Sequence, residues 1–274
     1  MPELPEVENV KNNLKKQVLD KKIVGVNIFY PSLIEYPSIQ EFKKNIINQT
    51  INDIKRRGKW LMFELDQYFL LSHLRMEGKY LIRKKGDLVT KHELISFLFS
   101  DATELRYQDV RKFGKMHLIK KDEINIRKPI SELGLEPWDK NLTTNYLKEK
   151  FSSKKVPIKV SLLDQSIIVG IGNIYADEIL FLSNINPLKK SNLLSESELK
   201  KIIDITRKVL EIAIKEGGTT IKSYTSSEGV TGHHQQNLLV HSKENLPCPV
   251  CNEKIIKIRV GGRGTYYCSK CQKG

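Results

Sequence analysis

The spacing of apolar residues divides the chain into two parts. Behind Pro5, apolar residues recur at helical spacing, at Val7, Val10, Leu14 and Val18. This pattern predicts an amphipathic helix over Pro5–Leu19. Short runs rich in β-branched and aromatic residues follow, and they predict strands at Lys22–Tyr30, Thr50–Ile54, Trp60–Leu65, Tyr68–Leu74, Leu94–Ser100, Glu104–Tyr107 and Lys115–Ile119. Several short strands at this spacing indicate a sandwich or a barrel.

Helical periodicity dominates the second part, from Thr143 to about Lys215. It includes predicted helices at Tyr175–Leu182 and Ser197–Glu216, and the pattern from Ser195 to Glu198 offers a capping box for the latter. Between the two parts, residues 121–140 contain prolines and glycine with little periodicity, which predicts a linker. The chain is therefore predicted to be β-rich first and helical afterwards.

Charge and composition narrow the function classes. The 274 residues carry 46 Lys and Arg against 32 Asp and Glu, a formal net charge of +14 that favours a polyanionic partner such as nucleic acid. Only ten of these cations are arginines, whose planar fork suits phosphate and base contacts. No apolar run reaches the roughly 18 to 20 residues of a membrane span, and the acidic N-terminus is unlike a secretory signal. We therefore expect a cytoplasmic location and no membrane partner.

The tail from Asn245 to Gly274 is basic and too short for a core of its own. It holds all four cysteines as two CxxC pairs separated by 16 residues: Cys248, Cys251, Cys268 and Cys271. This spacing is typical of a tetrathiolate zinc ribbon, with disulfides as the alternative. Such a site is closed and structural, so we predict one structural Zn²⁺, which with four thiolates changes the formal charge to about +12.

A β-hairpin is predicted between the cysteine pairs, from strands at Lys254–Val260 and Thr265–Tyr267. Its turn holds Arg263 between glycines, so the turn can approach a nucleic-acid backbone closely. We expect Arg263 at the tip to contact phosphate, the alternative being a solvated turn cation.

Pro2 follows the initiator methionine, and its exposure by methionine removal would create a secondary amine at the chain terminus. An α-amino group titrates near ~8, far below lysine, so part of it is a neutral nucleophile at physiological pH. The positive end of the following helix should lower that pKa further, and Glu3 is a candidate proton donor beside it. From spacing alone, an ordinary helix-initiating proline remains the alternative.

A series of motifs extends along essentially the whole chain, in the order Pro2–Glu8, Arg56–Lys59, His73–Gly78, Asp109–Gly114, Gly170–Glu178, Gly217–Thr220 and the cysteine pairs around Arg263. With these motifs the chain resembles bacterial formamidopyrimidine-DNA glycosylase. The resemblance implies an α+β multidomain fold: an N-terminal β-sandwich with an N-terminal helix, then a helix-two-turns-helix domain that ends in a zinc-ribbon hairpin. The expected domains are 1–130, a linker at 131–142, 143–240 and the zinc finger at 241–274.

The resemblance also implies an activity, base-excision repair of oxidised purines such as 8-oxoguanine and formamidopyrimidines opposite cytosine. In this family the Pro2 amine attacks C1′ of a flipped nucleotide, a Schiff base forms, and β- and δ-elimination cut the strand. Glu3 is carried over as the acid–base residue, Lys59 as the proton donor in β-elimination, and Arg263 as the residue associated with δ-elimination. The enzyme would thus be a bifunctional glycosylase and abasic-site lyase.

Flipping a nucleotide leaves a hole in the duplex. Met76, Arg111 and Phe113 match the family's trio that fills it, although from sequence alone Met76 and Phe113 would be assigned to a core. This chain has Val110 and Lys112 where the family more commonly has proline and arginine, which bears on the stiffness of the loop more than on its function.

Further DNA-backbone contacts are carried over to His92, Lys154, Lys155 and Asn173, each of which could otherwise be a solvated surface residue. The glycines before Asn173 do not form a dinucleotide motif, because Tyr175 occupies the third glycine position. They instead predict a turn that presents Asn173 at a helix N-terminus. The polar stretch 217–236 resembles the family's capping loop, with His233 and His234 as loop residues.

The expected partner is double-stranded DNA with an oxidised purine or an abasic site, bound by a monomer at the bacterial nucleoid without a nucleotide cofactor. One alternative is the related endonuclease VIII class, which prefers oxidised pyrimidines; Leu4 and the Arg111 loop favour the purine branch. The other is a noncatalytic zinc-ribbon protein that binds nucleic acid, against which Pro2, Glu3 and Lys59 argue.

Overall fold

A computed structural model describes residues 1–219 and 234–273, which form two compact units. The first unit comprises residues 1–131 and 219, and the second comprises residues 132–218 and 234–273. Most of the stretch that resembles a capping loop, including His233, lies outside the described residues.

The first unit contains two α-helices and nine strands among its described residues. The helices are α1 (Leu4–Val18) and α2 (Ile39–Ile46). The strands are β1 (Ile23–Ile28), β2 (Ile34–Tyr36), β3 (Asp53–Arg57), β4 (Trp60–Glu64), β5 (Tyr68–His73), β6 (Lys79–Lys84), β7 (Glu93–Phe99), β8 (Thr103–Gln108) and β9 (Lys115–Lys120).

These strands form two sheets that share one hydrophobic core. The four-stranded sheet has the order β1-β7-β8-β6, and the five-stranded sheet has the order β2-β9-β5-β4-β3. Phe97 and Leu105 of the first sheet and Phe63 and Met116 of the second belong to the same buried cluster. The predicted β-sandwich is thereby confirmed.

Helix α1 covers this core with the face that its sequence pattern predicts. Its valines and leucine at helical spacing are at most 1% exposed, and the helix lies against β3 and β4. Arg56 of β3 donates to Glu8 of α1 at 2.8 Å, which adds a partly buried ion pair to the apolar contact.

Two strands and one helix of the first unit were not predicted. Strand β6 has lysines at both ends and only Tyr80 fully buried, so its composition hides it. Strand β2 is three residues long and pairs in parallel with β9. Helix α2 is also missing from the prediction, although Ser38 and Glu41 form a capping box at its start.

The second unit contains four α-helices and one hairpin among its described residues: α3 (Thr144–Phe151), α4 (Ile158–Leu162), α5 (Asn173–Leu182), α6 (Glu196–Lys215), β10 (Ile256–Val260) and β11 (Arg263–Tyr267). The Ser195 hydroxyl caps α6 by accepting from Glu198 N at 3.3 Å, as the sequence predicts. Before α3, the predicted linker contains short 3-10 turns, and Leu135 bridges to Ile168. No helix within residues 1–219 and 234–273 is both long and apolar enough to cross a bilayer.

Arg106 of β8 forms a buried ion cluster in the four-stranded sheet. Its guanidinium is 1% exposed and donates to Glu104 at 2.8 Å and to Glu93 at 2.9 Å. It also donates to the carbonyls of Asp87 and Leu88, which anchors the segment between β6 and β7. One buried arginine is therefore the shared hydrogen-bonding counter-ion of two buried carboxylates.

We predict that Arg106→Met lowers the free energy of unfolding by roughly 3–5 kcal/mol, because it leaves Glu93 and Glu104 buried without their counter-ion. Chemical denaturation at neutral pH measures this change. Arg127→Met is the matched control, since the Arg127 side chain is 42% exposed and solvent screens its ion pair with Glu123. Equal effects of the two substitutions would contradict the prediction.

Candidate active site, nucleic-acid surface and metal centre

The N-terminal residues are buried in the first unit. Pro2 is buried, and Glu3 is 2% exposed at the start of α1. In this structure Met1 carries the terminal amine. Burial lowers the pKa of that α-amino group and the nearby Lys59 lowers it further, while Glu3 and Glu6 oppose the shift. Lys59 itself is 5% exposed, in the turn between β3 and β4. The structure thus brings Lys59 within electrostatic reach of the chain terminus.

Glu6 is a residue of this region that the sequence predicted only as a helix-start acid. Its carboxylate accepts from Glu3 N at 2.8 Å and from Thr219 N at 2.7 Å. The Thr219 hydroxyl donates to it as well, at 3.0 Å. Glu6 therefore joins the N-terminus to the residue that directly precedes the undescribed stretch. Sequence separation hid this role, because the two partners lie more than two hundred residues apart.

His73 was also missed as a functional candidate. It ends β5, is 8% exposed, and lies edge-on to Trp60 with ring centroids 4.8 Å apart. Burial, aided by the charges of Arg75 and Lys59, lowers the pKa of His73 to about 3. The ring is therefore neutral, and its Nδ1 accepts from Arg75 N at 2.9 Å. This bond fixes the backbone of Arg75, the residue before Met76, at a φ of 52°.

The loop that carries Arg111 and Phe113 is organised by Asp109. This carboxylate is 1% exposed and accepts from three backbone amides: Arg111 N at 3.0 Å, Phe113 N at 2.8 Å and Gly114 N at 2.8 Å. The Arg111 guanidinium lies 4.8 Å from the centre of the Phe113 ring. Phe113 is 47% exposed, so it is no core residue.

The predicted trio meets on one surface. Met1, Met76, Arg111 and Phe113 line the same concavity, together with the cations Arg75, Lys112 and Lys115. The structure therefore places an apolar tip, an aromatic ring and a guanidinium beside the chain terminus. His92 lies close by along the backbone, because its carbonyl accepts from Asp109 N at 2.9 Å.

The four cysteines converge in the second unit. Their sulfur atoms all lie within 4.8 Å of one another, and none of the four forms a disulfide. A tetrahedral ion with Zn–S bonds of about 2.3 Å requires sulfurs about 3.8 Å apart. The Cys248–Cys271 and Cys251–Cys268 distances of 3.9 and 3.4 Å fit that requirement. The donor set therefore fits one structural zinc ion, as the sequence predicts.

The hairpin between the cysteine pairs differs slightly from the prediction. Val260 pairs with Arg263, so the turn consists of Gly261 and Gly262 alone, both at positive φ. The predicted turn tip is thus wrong by one residue: Arg263 begins β11, because two glycines suffice for the tight turn. Its side chain is exposed. A β-carbon at Gly261 would lie 2.7 Å from the Val160 side chain, so the turn packs closely on α4.

A buried polar cluster fixes this hairpin within the second unit. Lys159 is fully buried and donates to Asp177 at 2.5 Å and to the Gly264 carbonyl at 3.2 Å. The other oxygen of Asp177 contacts His241 Nδ1 at 2.7 Å. Asn173, the first residue of α5, also donates to Gly264 O, at 3.0 Å. Two side chains thus hold the carbonyl next to Arg263.

Lys154 and Lys155 lie between α3 and α4. Lys155 is exposed, whereas Lys154 is half-buried and donates to Asp164 at 2.9 Å. Their DNA contacts, like that of Asn173, stay predictions.

Comparisons with known proteins find matches along nearly the whole chain. Residues 1–116 match the formamidopyrimidine-DNA glycosylase N-terminal domain, residues 133–225 match the H2TH domain of the same enzyme, and residues 245–274 match a zinc finger found in FPG and IleRS. The formamidopyrimidine-DNA glycosylase of Oceanobacillus iheyensis is 48% identical over 273 residues, which cover 99% of this chain and 98% of that protein.

The chain belongs to the formamidopyrimidine-DNA glycosylase family.

Solved structures agree with this assignment. A Lactococcus lactis FPG mutant in complex with DNA containing Fapy-dG superposes with a TM-score of 0.93 at 38% identity, and all of both chains is covered. The Lactococcus lactis enzyme with DNA containing an abasic site gives 0.92 at 39% identity, over 99% of this chain and all of that one. The family resemblance and the fold class expected from the sequence are both confirmed.

We predict that His73 makes this glycosylase-family fold sensitive to acid. An unfolded histidine binds a proton below pH 6.5, but folded His73 resists protonation until about pH 3, so acid favours the unfolded chain. Between pH 7 and pH 5 this linkage costs about 2 kcal/mol. His73→Asn keeps an acceptor for Arg75 N and should remove this part of the pH dependence.

Denaturation of the Trp138→Phe background, followed by the fluorescence of Trp60, measures the effect in the first unit. If the Trp138→Phe protein loses the same stability between pH 7 and pH 5 with and without His73→Asn, His73 does not titrate as described.

We predict that a zinc chelator unfolds the tail and leaves the sandwich folded. Structural zinc in small fingers supplies about 10–16 kcal/mol of folding free energy, and the apolar cluster of the tail is small and includes Phe181 and Val240 from outside the tail. Amide hydrogen exchange should therefore accelerate in β10 and β11 and stay slow in β4 and β5. Native mass spectrometry should show one zinc per chain and none in Cys248→Ser/Cys271→Ser.

Proposed function

We propose that this protein is a base-excision-repair DNA glycosylase that removes oxidised purines and then cleaves the abasic strand as a lyase. The observation that carries the proposal is the burial of Pro2 and Glu3 beside Lys59. Burial and Lys59 lower the pKa of the Met1 α-amino group, and removal of Met1 would place the Pro2 amine in these surroundings. An amine with a lowered pKa, in a site with an acid and a cation, is suited to attack on a sugar carbon.

The proposed reaction begins after methionine removal. The Pro2 amine attacks C1′ of the flipped nucleotide, the base departs with the electron pair of the glycosidic bond, and loss of a proton and ring opening give an iminium. Glu3 serves as the acid–base residue for ring opening. Because a secondary amine yields a cationic iminium, the C2′ hydrogen becomes acidic. Water accepts this proton, the C2′–C3′ double bond forms, and the C3′–O bond breaks to release the 3′ phosphate. Lys59 supplies a proton in that step.

Arg263 takes part in the second elimination. Arginine hardly deprotonates, so its role is to hold the leaving 5′ phosphate by charge and hydrogen bonds. Its exposure, and the hold of Lys159 and Asn173 on the neighbouring Gly264 carbonyl, support a guanidinium presented to a ligand.

The DNA surface follows from the same proposal. Met76 and Phe113 fill the space that the flipped nucleotide leaves, and Arg111 pairs with the orphaned cytosine. His92, Lys154, Lys155 and Asn173 contact the backbone, and the lysine-rich surface supplies the salt-dependent attraction. Zinc acts structurally in this scheme. Residues 1–130 would carry the chemistry, 131–142 would link, 143–240 would bind DNA and 241–274 would form the zinc finger. A monomer in the bacterial cytoplasm, at the nucleoid, completes the proposal.

Substrate choice needs its own test, since one solved Lactococcus lactis complex contains an oxidised pyrimidine. Wild-type protein, with methionine removal confirmed by mass, is incubated with duplexes that carry 8-oxoguanine opposite cytosine, an oxidised pyrimidine, or an abasic site, and is then reduced with borohydride. We expect a covalent adduct with the 8-oxoguanine duplex and a slower one with the pyrimidine. Preference for the pyrimidine would instead support the endonuclease VIII alternative.

Variants sharpen this prediction. Glu3→Gln and Lys59→Met should each slow strand cleavage by roughly 100-fold or more, the usual contribution of a general acid or base. Lys55→Met is the matched control, because Lys55 is exposed on β3, four positions before Lys59 in the sequence, and the rate of this variant should stay within about twofold of the wild type. Absence of an adduct with every duplex would overturn the enzyme assignment and leave a noncatalytic binder.

A further inference from the structure

The two loops that carry Met76, Arg111 and Phe113 lie side by side in the sandwich. Residues 74–78, with Met76, join β5 to β6, and residues 109–114, with Arg111 and Phe113, join β8 to β9. Each loop therefore crosses from one sheet to the other. Strand pairing sets His73 opposite Lys115 in one sheet and Lys79 opposite Gln108 in the other, so the loops leave and enter the sheets side by side.

One buried side chain touches both loops. Tyr107 is 0% exposed, and its ring points between Gly78, at the end of the first loop, and Gly114, at the end of the second. A β-carbon at either glycine would overlap the Tyr107 hydroxyl oxygen and lie 2.7 Å from Cζ. The backbones of both loops thus pack directly on the same phenol, which explains why neither position carries a side chain.

The phenol itself is held firmly in the core. The Tyr107 ring lies against the Tyr80 ring with centroids 5.2 Å apart. The Tyr80 hydroxyl donates to Ser72 Oγ at 2.7 Å, on the strand that leads into the first loop. Because a close-packed core transmits displacement rather than absorbing it, a shift of one loop must be felt at Tyr107 and at the other loop.

We propose that Tyr107 is a positioning residue that couples the two loops, so that Met76 and Phe113 enter the duplex as one rigid wedge. This inference rests on the proposed function, because it takes both loops to contact DNA. Tyr107 itself contacts only the protein, and it acts through the backbones at Gly78 and Gly114.

A double-mutant cycle tests the coupling. Met76→Ala, Phe113→Ala and their combination are made in the wild type and in Tyr107→Phe, which keeps the ring and removes only the hydroxyl. The readout is the single-turnover rate at which 2-aminopurine next to 8-oxoguanine becomes fluorescent as the duplex opens. In the wild type we expect the two truncations to be non-additive by roughly 5-fold or more, as is usual for side chains that act as a unit. In Tyr107→Phe the effects should multiply independently.

Tyr80→Phe is the matched control. It removes a buried hydroxyl from the adjacent ring, whose bond goes to Ser72 and not to either loop glycine. Any effect of a lost core hydroxyl on stability appears in both variants and is measured by the melting temperature. Only Tyr107→Phe should abolish the non-additivity.

A steric rescue provides a second measurement. Gly114→Ala should slow duplex opening, because its new β-carbon overlaps the Tyr107 hydroxyl. Combining it with Tyr107→Phe should restore part of the rate, whereas combining it with Tyr80→Phe should not.

The outcomes separate this inference from the proposed function. If the wild type excises 8-oxoguanine but Tyr107→Phe keeps the same non-additivity as Tyr80→Phe and fails to rescue Gly114→Ala, the coupling is overturned and the function stands. If the wild type neither opens nor cleaves the damaged duplex, the proposed function itself fails.

Discussion

The loop that carries Arg111 and Phe113 takes its shape from the carboxylate of Asp109, which accepts hydrogen bonds from three backbone amides while almost fully buried. An ionised carboxylate without partners would cost several kcal/mol to bury, so the backbone must turn until its amides converge on the oxygens. The same constraint recurs at Glu6, which binds the amides of Glu3 and Thr219. It recurs again at Glu178 of α5, which accepts from three consecutive amides, Leu239 to His241. Buried acids thus fix the segments around which the candidate chemistry is arranged.

Buried and exposed arginines contribute to the net charge of +14 in different ways. Arg106 is buried on two carboxylates, and Arg56 pairs with Glu8 between α1 and β3. These guanidiniums serve the fold, because acids and backbone carbonyls of the first unit accept their hydrogen bonds. Arg111 and Arg263 are exposed, and buried polar neighbours hold the backbone beside them, while the Arg111 guanidinium lies over the Phe113 ring. An exposed fork on a fixed backbone is what recognition of a phosphate or a base edge requires.

Local patterns allowed much of this architecture to be predicted, and long-range contacts explain the rest. The helical spacing behind Pro5 and the CxxC pairs each carry their signal within a short window, and both predictions are confirmed. Strand β6 was not predicted, because its pairing with β8 rather than its own composition makes it a strand. The hydrogen bonds between Glu6 and Thr219 and between Lys159 and Gly264 join residues that are far apart in the sequence. Local periodicity cannot predict such contacts. Only the family resemblance predicted that Phe113 is exposed, since aromatic residues are usually buried.

The departure of this chain from the commoner loop sequence, Val110 and Lys112 in place of proline and arginine, is explained by the same constraint. A proline would restrict one φ angle, but the Asp109 carboxylate already fixes the amides on both sides of Lys112. Lys112 adopts a φ of 56°, a left-handed conformation that is strained for a side chain, and its ammonium lies 4.9 Å from the centre of the Tyr30 ring. Val110 is 54% exposed and makes no part of the core. Loop order therefore resides in a buried acid at the base of the loop, and the residues at its tip can vary without releasing Arg111 or Phe113.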